Sequence, residues 1–393
     1  MMSIIDTIKN ALNNSPLSKV MSSNASVLGV DIGSASIKVV QLKREGGKAV
    51  LETYGAITLG PYSDTEAGRV VKLQPDKLAE AMTDLVKEAN VTTTNAAVAI
   101  PFASSLTSII EMPNMSQDQL NKMVPIEARK YIPVSTSEVT MDWFVIPKNK
   151  SEERGDTIKG VYTSKPKTDN EDTLEVLLVA IHNSTLTDYQ TVMANAQLDT
   201  QFYELEVFST ARASLGHSIK PVVVVDIGAS NTKVYVIEKG VIRMSHLIKK
   251  GSQALTLYIQ RSLNISFQKA EKLKHERGLS TESPVRLADG SQALVRDAML
   301  STLDHIFAEV NRVLLSYGKK YNKNISKVVF SGGTTAMKGF LEYSQGKIDN
   351  EVEIADPFNK IQTPAFLDDI LKEVGPEFAV ATGIALRQLY GNN

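Results

Sequence analysis

Two short phrases of the same kind, far apart in the chain, constrain its fold more than any other feature. The first reads VLGVDIGSASIKVV from Val27, and the second reads VVVVDIGASNTKVYV from Val222. Each is an apolar run that ends in Asp-Ile-Gly, followed by small residues and a second apolar run. The pattern predicts two strands joined by a tight turn, with Asp31 or Asp226 at the end of the first strand.

Each phrase also opens a longer unit of three predicted strands. A glycine turn follows the second strand in both copies, at Gly46 and at Gly240, and a third apolar strand comes next. The repeat is too long for a solenoid, whose units recur at shorter and regular periods. Ordinary Asp-Gly turn chemistry would explain one copy. Two copies of the same three strands predict two related lobes that face each other.

The residues around each Asp-Ile-Gly phrase have the chemistry of a phosphate-binding loop. The glycine permits a tight backbone, and the small residues beside it leave successive N–H groups free to bind an anion. Asp31 and Asp226 are placed to hold Mg²⁺ through water, because Mg²⁺ keeps much of its hydration. The other expected binding residues are Gly33, Ser34, Ala35, Ser36 and Lys38 in the first copy, and Gly228, Ala229, Ser230, Asn231 and Thr232 in the second.

A third glycine motif lies near the end of the sequence. Residues 326–343 predict a buried strand, a Gly332-Gly333 loop and a helix that is capped by Thr334 or Thr335. Paired glycines at the end of a strand let a flat ligand or a phosphate approach the backbone and the helix N-terminus. The motif has neither the Walker A pattern nor the G-x-G-x-x-G spacing, so it predicts neither a P-loop nor a dinucleotide fingerprint.

Composition limits the class of protein and of function. A chain of 393 residues is too long for one ordinary core. The net charge of −1 gives no support for broad nucleic-acid binding. The absence of cysteine excludes disulfides and thiolate chemistry, and the five histidines show no metal-ligand spacing. No apolar run approaches the roughly 20 residues of a membrane span, and the N-terminus lacks the pattern of a secretory signal, so we expect a cytoplasmic protein.

A short amphipathic helix is predicted within residues 1–25. Its polar face carries only Lys9, whereas helices that lie on membranes are usually rich in Lys and Arg. We therefore favour a helix that docks on this protein or on a partner, with membrane contact as the alternative. The apolar face consists of Ile4, Ile5, Ile8, Ala11 and Leu12.

The two hairpins and the later strand–Gly-Gly–helix motif resemble the superfamily of actin, the heat-shock chaperone ATPases and the sugar kinases. The resemblance implies an α/β actin-like ATPase fold of two lobes, each with a mixed five-stranded sheet and flanking helices, and ATP with Mg²⁺ between them. It implies that ELEVFSTARA is a connecting helix, in which Glu206 orients the attacking water and acts with Asp226 in catalysis. The residues implied to approach the ribose, the base and the rest of the adenosine are Glu271, Lys274, Gly332, Gly333, Thr334 and Lys338.

Within that superfamily the chain resembles most closely the PilM family of type IV pilus assembly proteins. The similar phrases are VLGVDIGSASIKVVQL, IEARKYIP, VLLVAIHNSTLTDYQ, LEVFSTARA and FAVATGIALR, and they span about residues 26–390. The resemblance implies a cytoplasmic ATP-binding scaffold, peripheral at the inner-membrane platform through its partners, with a role in twitching motility. The implied partners are the cytoplasmic N-terminal peptide of PilN, the PilN/PilO platform, the assembly ATPase and the platform protein.

The resemblance also implies a domain organisation. Residues 1–25 form the N-terminal helix and linker, 26–217 form lobe one, and 218–375 form lobe two. Lobe one holds an inserted subdomain at about 106–185, which includes a polar hairpin loop at 148–170, and is closed by a helix at 376–393. Hydrolysis is expected to be slow at most, because no dedicated catalytic lid is evident and only Gly251 stands where relatives often carry Gly-Gly-Asp.

Three alternatives share parts of this pattern. A division protein resembling FtsA would end in a linker and an amphipathic membrane helix, whereas the sequence here stops at RQLYGNN, with the predicted closing helix. A small-molecule kinase of the same superfamily would place an Asp base over a sugar pocket in lobe one, and no convincing candidate is evident. A protein resembling the cytoplasmic part of GspL, from type II secretion, would continue into a membrane span. These differences favour the pilus scaffold.

Overall fold

The computed structural model describes residues 25–146, 173–216, 218, 220–281, 284–286 and 292–391. Both the predicted N-terminal stripe and the 148–170 loop lie outside these residues. The described residues divide into a smaller compact unit, Ser104–Leu186, and a larger one that contains 25–103 and 187–391.

Short apolar segments separated by glycine-rich and polar turns form the strands of both units. In chain order the strands are β1 (Val27–Ile32), β2 (Ser36–Glu45), β3 (Lys48–Thr58), β4 (Asn95–Ile100), β5 (Ser105–Pro113), β6 (Val139–Ile146), β7 (Thr173–His182), β8 (Asp199–Leu205), β9 (Val222–Ile227), β10 (Thr232–Glu238), β11 (Val241–Ile248), β12 (Val285–Arg286), β13 (Gln292–Ala293), β14 (Lys327–Ser331) and β15 (Glu351–Ile354).

The α-helices carry apolar residues at helical spacing on the face that packs against a sheet. They are α1 (Pro75–Glu88), α2 (Gln117–Ala128), α3 (Asn183–Asn195), α4 (Glu206–Ser214), α5 (Ser252–Leu263), α6 (Phe267–Arg277), α7 (Val295–Tyr321), α8 (Phe340–Gln345), α9 (Asp368–Val374) and α10 (Ala379–Tyr390). None of the helices that the structure describes is long and apolar enough to cross a lipid bilayer.

The larger unit contains two five-stranded sheets with the same strand order. One sheet runs β3-β2-β1-β4-β8 and the other runs β11-β10-β9-β14-β15. In each, the first three strands along the chain pair antiparallel, and the last two are added parallel. The predicted fold of two lobes with mixed five-stranded sheets is therefore confirmed.

The turns that close the two meanders have the backbone that their residues favour. Gly46 and Gly47 both have positive φ, as do Lys239 and Gly240 in the second copy. Two consecutive residues with positive φ form the type I′ turn, whose twist matches that of a two-stranded hairpin. The first and second strands of each copy also pair in the same register: Asp31 is opposite Lys38, and Asp226 is opposite Lys233.

Strand β8 is absent from the sequence prediction, which takes the chain from one amphipathic helix directly into the next. The structure places Asp199–Leu205 as an edge strand, parallel to β4. Exposed and half-buried residues alternate along its first four positions, and only its last two residues are buried. The short polar edge strand therefore lacks the apolar run by which the inner strands are recognised. The predicted helix from Glu204 accordingly begins two residues later, at Glu206.

Helix α10 packs on the first sheet so closely that three backbones nearly touch. A Cβ on Gly29 of β1 would lie 2.0 Å from the Ala381 carbonyl oxygen, and one on Gly383 would lie 1.9 Å from the Ser209 carbonyl oxygen in α4. Arg212 adds a hydrogen bond of 3.1 Å to the Gly383 carbonyl. Glycine is required at both positions because no side chain fits.

The smaller unit is a three-stranded antiparallel sheet, in the order β5-β7-β6, covered by α2. Ser116 caps α2: its hydroxyl accepts from the Gln119 N–H, and the Gln119 side chain reaches back to the Ser116 N–H. The helix continues through Pro125. Trp143 on β6 is partly buried against the core of this unit.

Candidate functional site

The two Asp-Ile-Gly phrases form loops of the same geometry at the ends of β1 and β9. We call residues 31–36 the first loop and residues 226–231 the second loop. The Gly33 N–H donates to the Ser36 carbonyl at 3.0 Å, and the Gly228 N–H donates to the Asn231 carbonyl at the same distance. Both predicted loops are therefore present, with equivalent backbone bonds. A tight loop of small residues of this kind presents further N–H groups to an anion.

A buried lysine joins the second loop to the helix that connects the lobes. Lys233 Nζ lies 2.9 Å from Asp226 Oδ2 and 2.7 Å from Glu206 Oε2. Burial lowers the pKa of Lys233, but the two carboxylates raise it more, and the net direction is upward. The three side chains therefore form a buried cluster with one net negative charge.

Glu206, the residue predicted to orient water, is held from two sides. Its Oε1 accepts from the Phe102 N–H at 2.6 Å, and its Oε2 accepts from Lys233. Only 4% of the residue is exposed. Each carboxylate oxygen keeps a second lone pair, so the group could still accept a hydrogen bond from a water.

Asp31 in the first loop has an electrostatic environment that resists its ionisation. Burial raises the pKa of its carboxyl to about 6; Lys38 opposes the rise, and the charges of Glu206 and Asp226 add to it. These two charges belong to the connecting helix and to the second loop, respectively. Among the described residues, none donates a hydrogen bond to the Asp31 carboxylate, which is therefore a suitable partner for a cation.

The donor set fits Mg²⁺ held mainly by water and phosphate. Mg²⁺ usually takes one or two carboxylates and keeps several waters. Asp31 offers a carboxylate without a competing donor, whereas Asp226 is paired with Lys233. Within the ranges that the structure describes, there is no group of three or more acidic or histidine side chains that could hold a metal by itself.

Lys38 connects the first loop with the last part of the chain. Its Nζ binds the Ser36 hydroxyl at 2.8 Å and lies 3.3 Å from Glu377 Oε1. Glu377 also adjoins the Gly-Gly loop, since a Cβ on Gly333 would lie 3.5 Å from its carboxyl carbon. Lys38 thus links the first loop to the Gly-Gly loop through Glu377.

The Gly-Gly loop lies directly against the second loop. Gly332 has φ +91°, and a Cβ on it would lie 2.5 Å from the Ile227 carbonyl oxygen and 2.8 Å from Asp226 Oδ1. Both the positive φ and the close contact require glycine. The structure thus requires glycine at this position because of a contact with the second loop, whereas the sequence pattern indicated glycine for the approach of a ligand.

The predicted caps after this loop are wrong. Residues Gly333–Ala336 form a 3-10 turn, and the helix begins later, at Phe340, with Gly339 as its N-cap. Thr334 and Thr335 are buried and donate to backbone carbonyls of Ile227 and Gly332 instead. The loop residues pair with the chain around the second loop, so their hydroxyls are not available to a helix N-terminus. Lys338 is exposed.

The pair predicted to approach ribose and base forms a compact cluster on α6. Lys274 Nζ lies 2.8 Å from both carboxylate oxygens of Glu271, and Thr256 on α5 also donates to that carboxylate. Burial raises the pKa of Glu271, but hydrogen bonds from His275, Lys274 and Thr256 lower it more, to about 2. Glu271 is therefore ionised and fixed in place.

Three residues of the site are missing from the sequence prediction. Lys233 occupies in the second copy the position that Lys38 occupies in the first, so extending the repeat alignment would have identified it. Phe102 contributes its backbone N–H to Glu206 and packs its ring edge-on against Tyr235, with centroids 5.5 Å apart. Glu377 gives no local signal, because its role depends on contacts distant in sequence.

Two lobes of equal strand order, each with a D-x-G loop at the end of its first strand, define the actin-like fold. A model of the family "Type IV pilus assembly protein PilM" matches residues 29–389. The chain therefore belongs to the PilM family of type IV pilus assembly proteins.

Solved structures agree with this fold. The chain is similar to a protein of a PilM-PilN type IV pilus biogenesis complex, with 21% identity, coverage of 92% of this chain and 98% of that one, and a TM-score of 0.73. It is also similar to the ethanolamine utilization protein EutJ from Carboxydothermus hydrogenoformans, with 18% identity, coverage of 98% of both chains and a TM-score of 0.52.

Proposed function

We propose that this protein binds Mg·ATP between its two D-x-G loops and serves as a nucleotide-dependent scaffold in type IV pilus assembly. The observation that carries the proposal is that contacts join the two loops at one site. Lys38, beside the first loop, lies 3.3 Å from Glu377, which adjoins the Gly-Gly loop, and that loop lies against Asp226 of the second loop. Bound Mg²⁺ would supply positive charge against the phosphates, with Asp31 and Asp226 near the hydrated ion. Glu271 and Lys274 lie on the element proposed to contact the ribose and base.

Isothermal titration calorimetry with Mg·ATP tests nucleotide binding. Wild-type protein is expected to bind Mg·ATP, and Asp226→Asn is expected to weaken binding at least tenfold, because the hydrated Mg²⁺ loses one of its two proposed carboxylates. Asp349→Asn, on an exposed residue of the second lobe, is the matched control. Wild-type protein that binds no Mg·ATP would refute this part of the proposal.

Hydrolysis is proposed to be slow. Glu206 is bound by Phe102 and Lys233 and would need to accept a water without losing either bond. A steady-state phosphate-release assay with Glu206→Gln tests the role: the variant should bind Mg·ATP while releasing phosphate more slowly than the wild type. Equal rates in the two proteins would remove Glu206 from the mechanism.

We also propose that the protein binds the cytoplasmic N-terminal peptide of PilN at the cytoplasmic face of the inner membrane, and contacts the membrane platform through such partners. The similar solved structure is of a PilM-PilN complex. The smaller unit carries an apolar surface suited to a peptide: Met123, Ile126 and Tyr131, on or just after α2, are 42%, 55% and 45% exposed.

A titration with that peptide, with and without Mg·ATP, tests the partner. Ile126→Asp places a charge on the apolar surface and is expected to weaken binding more than tenfold, whereas Lys130→Asp changes an exposed charge on the same segment and is expected to have a small effect. No binding by the wild type in either nucleotide state would refute the partner and leave the fold unaffected.

A further inference from the structure

The segment between β3 and α1 is attached to the first loop. We call residues 59–71 the strap. The Leu59 N–H donates to the Ala35 carbonyl at 2.9 Å, and the Val71 N–H donates to the Ser34 carbonyl at 3.0 Å. Because Ser34 and Ala35 are in the middle of the first loop, these two hydrogen bonds hold the loop at two adjacent residues.

The strap also reaches the helix that follows the second loop. The Val70 N–H donates to Gln253 Oε1 at 2.6 Å. Gln253 lies in the first turn of α5, and its own N–H donates to the Ala229 carbonyl of the second loop at 3.0 Å. The adjacent N–H groups of Val70 and Val71 therefore donate to opposite lobes, Val71 to the first loop and Val70 to α5. A continuous series of hydrogen bonds joins the two loops through the Gln253 side chain.

Two further contacts hold the strap on α6. The guanidinium carbon of Arg69 lies 4.0 Å from the centroid of the Phe267 ring, a cation–π contact. Gly68 has φ +85°, and a Cβ on it would lie 3.2 Å from the carboxyl carbon of Glu271. The strap therefore contacts lobe two at the helix that carries the proposed ribose and base residues.

We propose that Gln253 is a positioning residue for nucleotide binding, because its side chain sets, through the strap, the spacing between the two loops. The inference rests on the proposed function, since only a ligand that contacts both loops depends on their spacing. A phosphate chain that bridges the loops binds more tightly when the loops are already held at the required distance. Without the Gln253 acceptor, part of the binding free energy of the nucleotide is used to hold the loops at that distance, and the affinity falls.

Gln253→Met tests the inference because it removes the acceptor and keeps most of the side-chain volume. Gln260→Met, two turns further along the same helix, is the matched control. Calorimetry with Mg·ATP and amide hydrogen exchange are measured on the full chain. Gln253→Met is expected to weaken Mg·ATP binding about fivefold, the usual net contribution of one hydrogen bond, and to speed exchange at the Val70 amide. The control should change neither.

Gln253→Glu separates the hydrogen bond from packing, since it retains an acceptor oxygen at the same place. In nucleotide-free protein it is expected to restore the slow exchange of the Val70 amide that Gln253→Met loses. A role in packing alone would make the two variants exchange alike. Arg69→Ala provides a second route, because it loosens the strap from α6 without changing Gln253, and it should weaken Mg·ATP binding by a smaller factor.

The outcomes distinguish this inference from the proposed function. Undiminished Mg·ATP binding by Gln253→Met, with faster exchange at Val70, would overturn the role of Gln253 and leave nucleotide binding intact. A wild type that binds no Mg·ATP would overturn the proposed function and the inference with it. If Gln253→Met does not fold, Arg69→Ala decides: wild-type affinity with faster strap exchange overturns the inference.

Discussion

Asp31→Asn is expected to stabilise the ligand-free protein at neutral pH while weakening Mg·ATP binding. Burial, with the charges of Glu206 and Asp226, raises the pKa of the Asp31 carboxyl from 3.8 to about 6, although Lys38 opposes the rise. Keeping the carboxylate ionised above pH 6 therefore costs free energy of folding. Asparagine has nearly the same shape and carries no charge, so it removes this cost.

The size of the effect follows from the pKa shift. A rise of roughly two units corresponds to about 3 kcal/mol at most, since each unit is about 1.4 kcal/mol. The carboxylate is partly solvated and half-buried, which reduces the expected gain to about 1–2 kcal/mol. For a chain of this length, with an unfolding entropy of about 2 cal/mol/K per residue, the melting temperature should rise by about 2 °C.

The raised pKa of Asp31 also determines how the stability difference between wild type and variant changes with pH. A folded-state pKa above the unfolded value means that the folded protein binds the proton more tightly, so wild-type stability falls as pH rises from about 4 through about 6. The additional stability of Asp31→Asn over the wild type should therefore be largest at pH 7.5, decrease through pH 6 and vanish near pH 4. Chemical denaturation of both proteins without nucleotide or Mg²⁺ measures it, with Asp349→Asn as the control. A lower stability of Asp31→Asn at pH 7.5, or a difference that does not change with pH, would refute the reasoning.

Three other substitutions test the surroundings of the site. Gly332→Ala introduces a Cβ that clashes with the second loop, so it should lower the free energy of unfolding by several kcal/mol and abolish nucleotide binding. Gly346→Ala, where the nearest atom would lie 3.5 Å from the new Cβ, should change it little, and thermal denaturation compares the two. Lys233→Met leaves two buried carboxylates without their cation and should lower the free energy of unfolding by about 3–5 kcal/mol. Lys249→Met, at an exposed position, should lower it by almost nothing. Equal stability of the two variants would contradict the buried cluster. Glu271→Gln should destabilise the protein by about 1–2 kcal/mol at neutral pH. Because the pKa of the Glu271 carboxyl is lowered, this difference should narrow as pH falls from 4.5 toward 2. A stability difference between wild type and variant that stays constant over this range would contradict the prediction.

The parts of the site that the sequence predicts are those with a local chemical reason. Asp31 and Asp226 end apolar strands, and the glycine after each permits a turn that other residues form poorly, so both loops are visible as short patterns. The internal repeat then makes each copy evidence for the other. The steric demand at Gly332 likewise produces a glycine pair that is recognisable before any contact is known.

The parts that the sequence does not predict depend on contacts between distant residues. Val70 and Gln253 are 183 positions apart, and neither is unusual in its own segment. The Lys233 side chain could equally point to solvent, and only the fold brings Glu206 to its other side. Strand β8 is missed because an edge strand with exposed positions has no continuous apolar run. In each case the deciding energy comes from tertiary packing, which a local pattern does not contain.

The near-contact of backbones at Gly383 and Gly29 determines how the lobes can move. The chain passes between the lobes once after α4 and returns once before α10, and these two helices touch where a Cβ on Gly383 would lie 1.9 Å from the Ser209 carbonyl oxygen. Both crossings are thus anchored at one rigid point with no room to slide. A change in the angle between the lobes would therefore have to occur in the two segments of chain that follow Ser214 and precede Ala379.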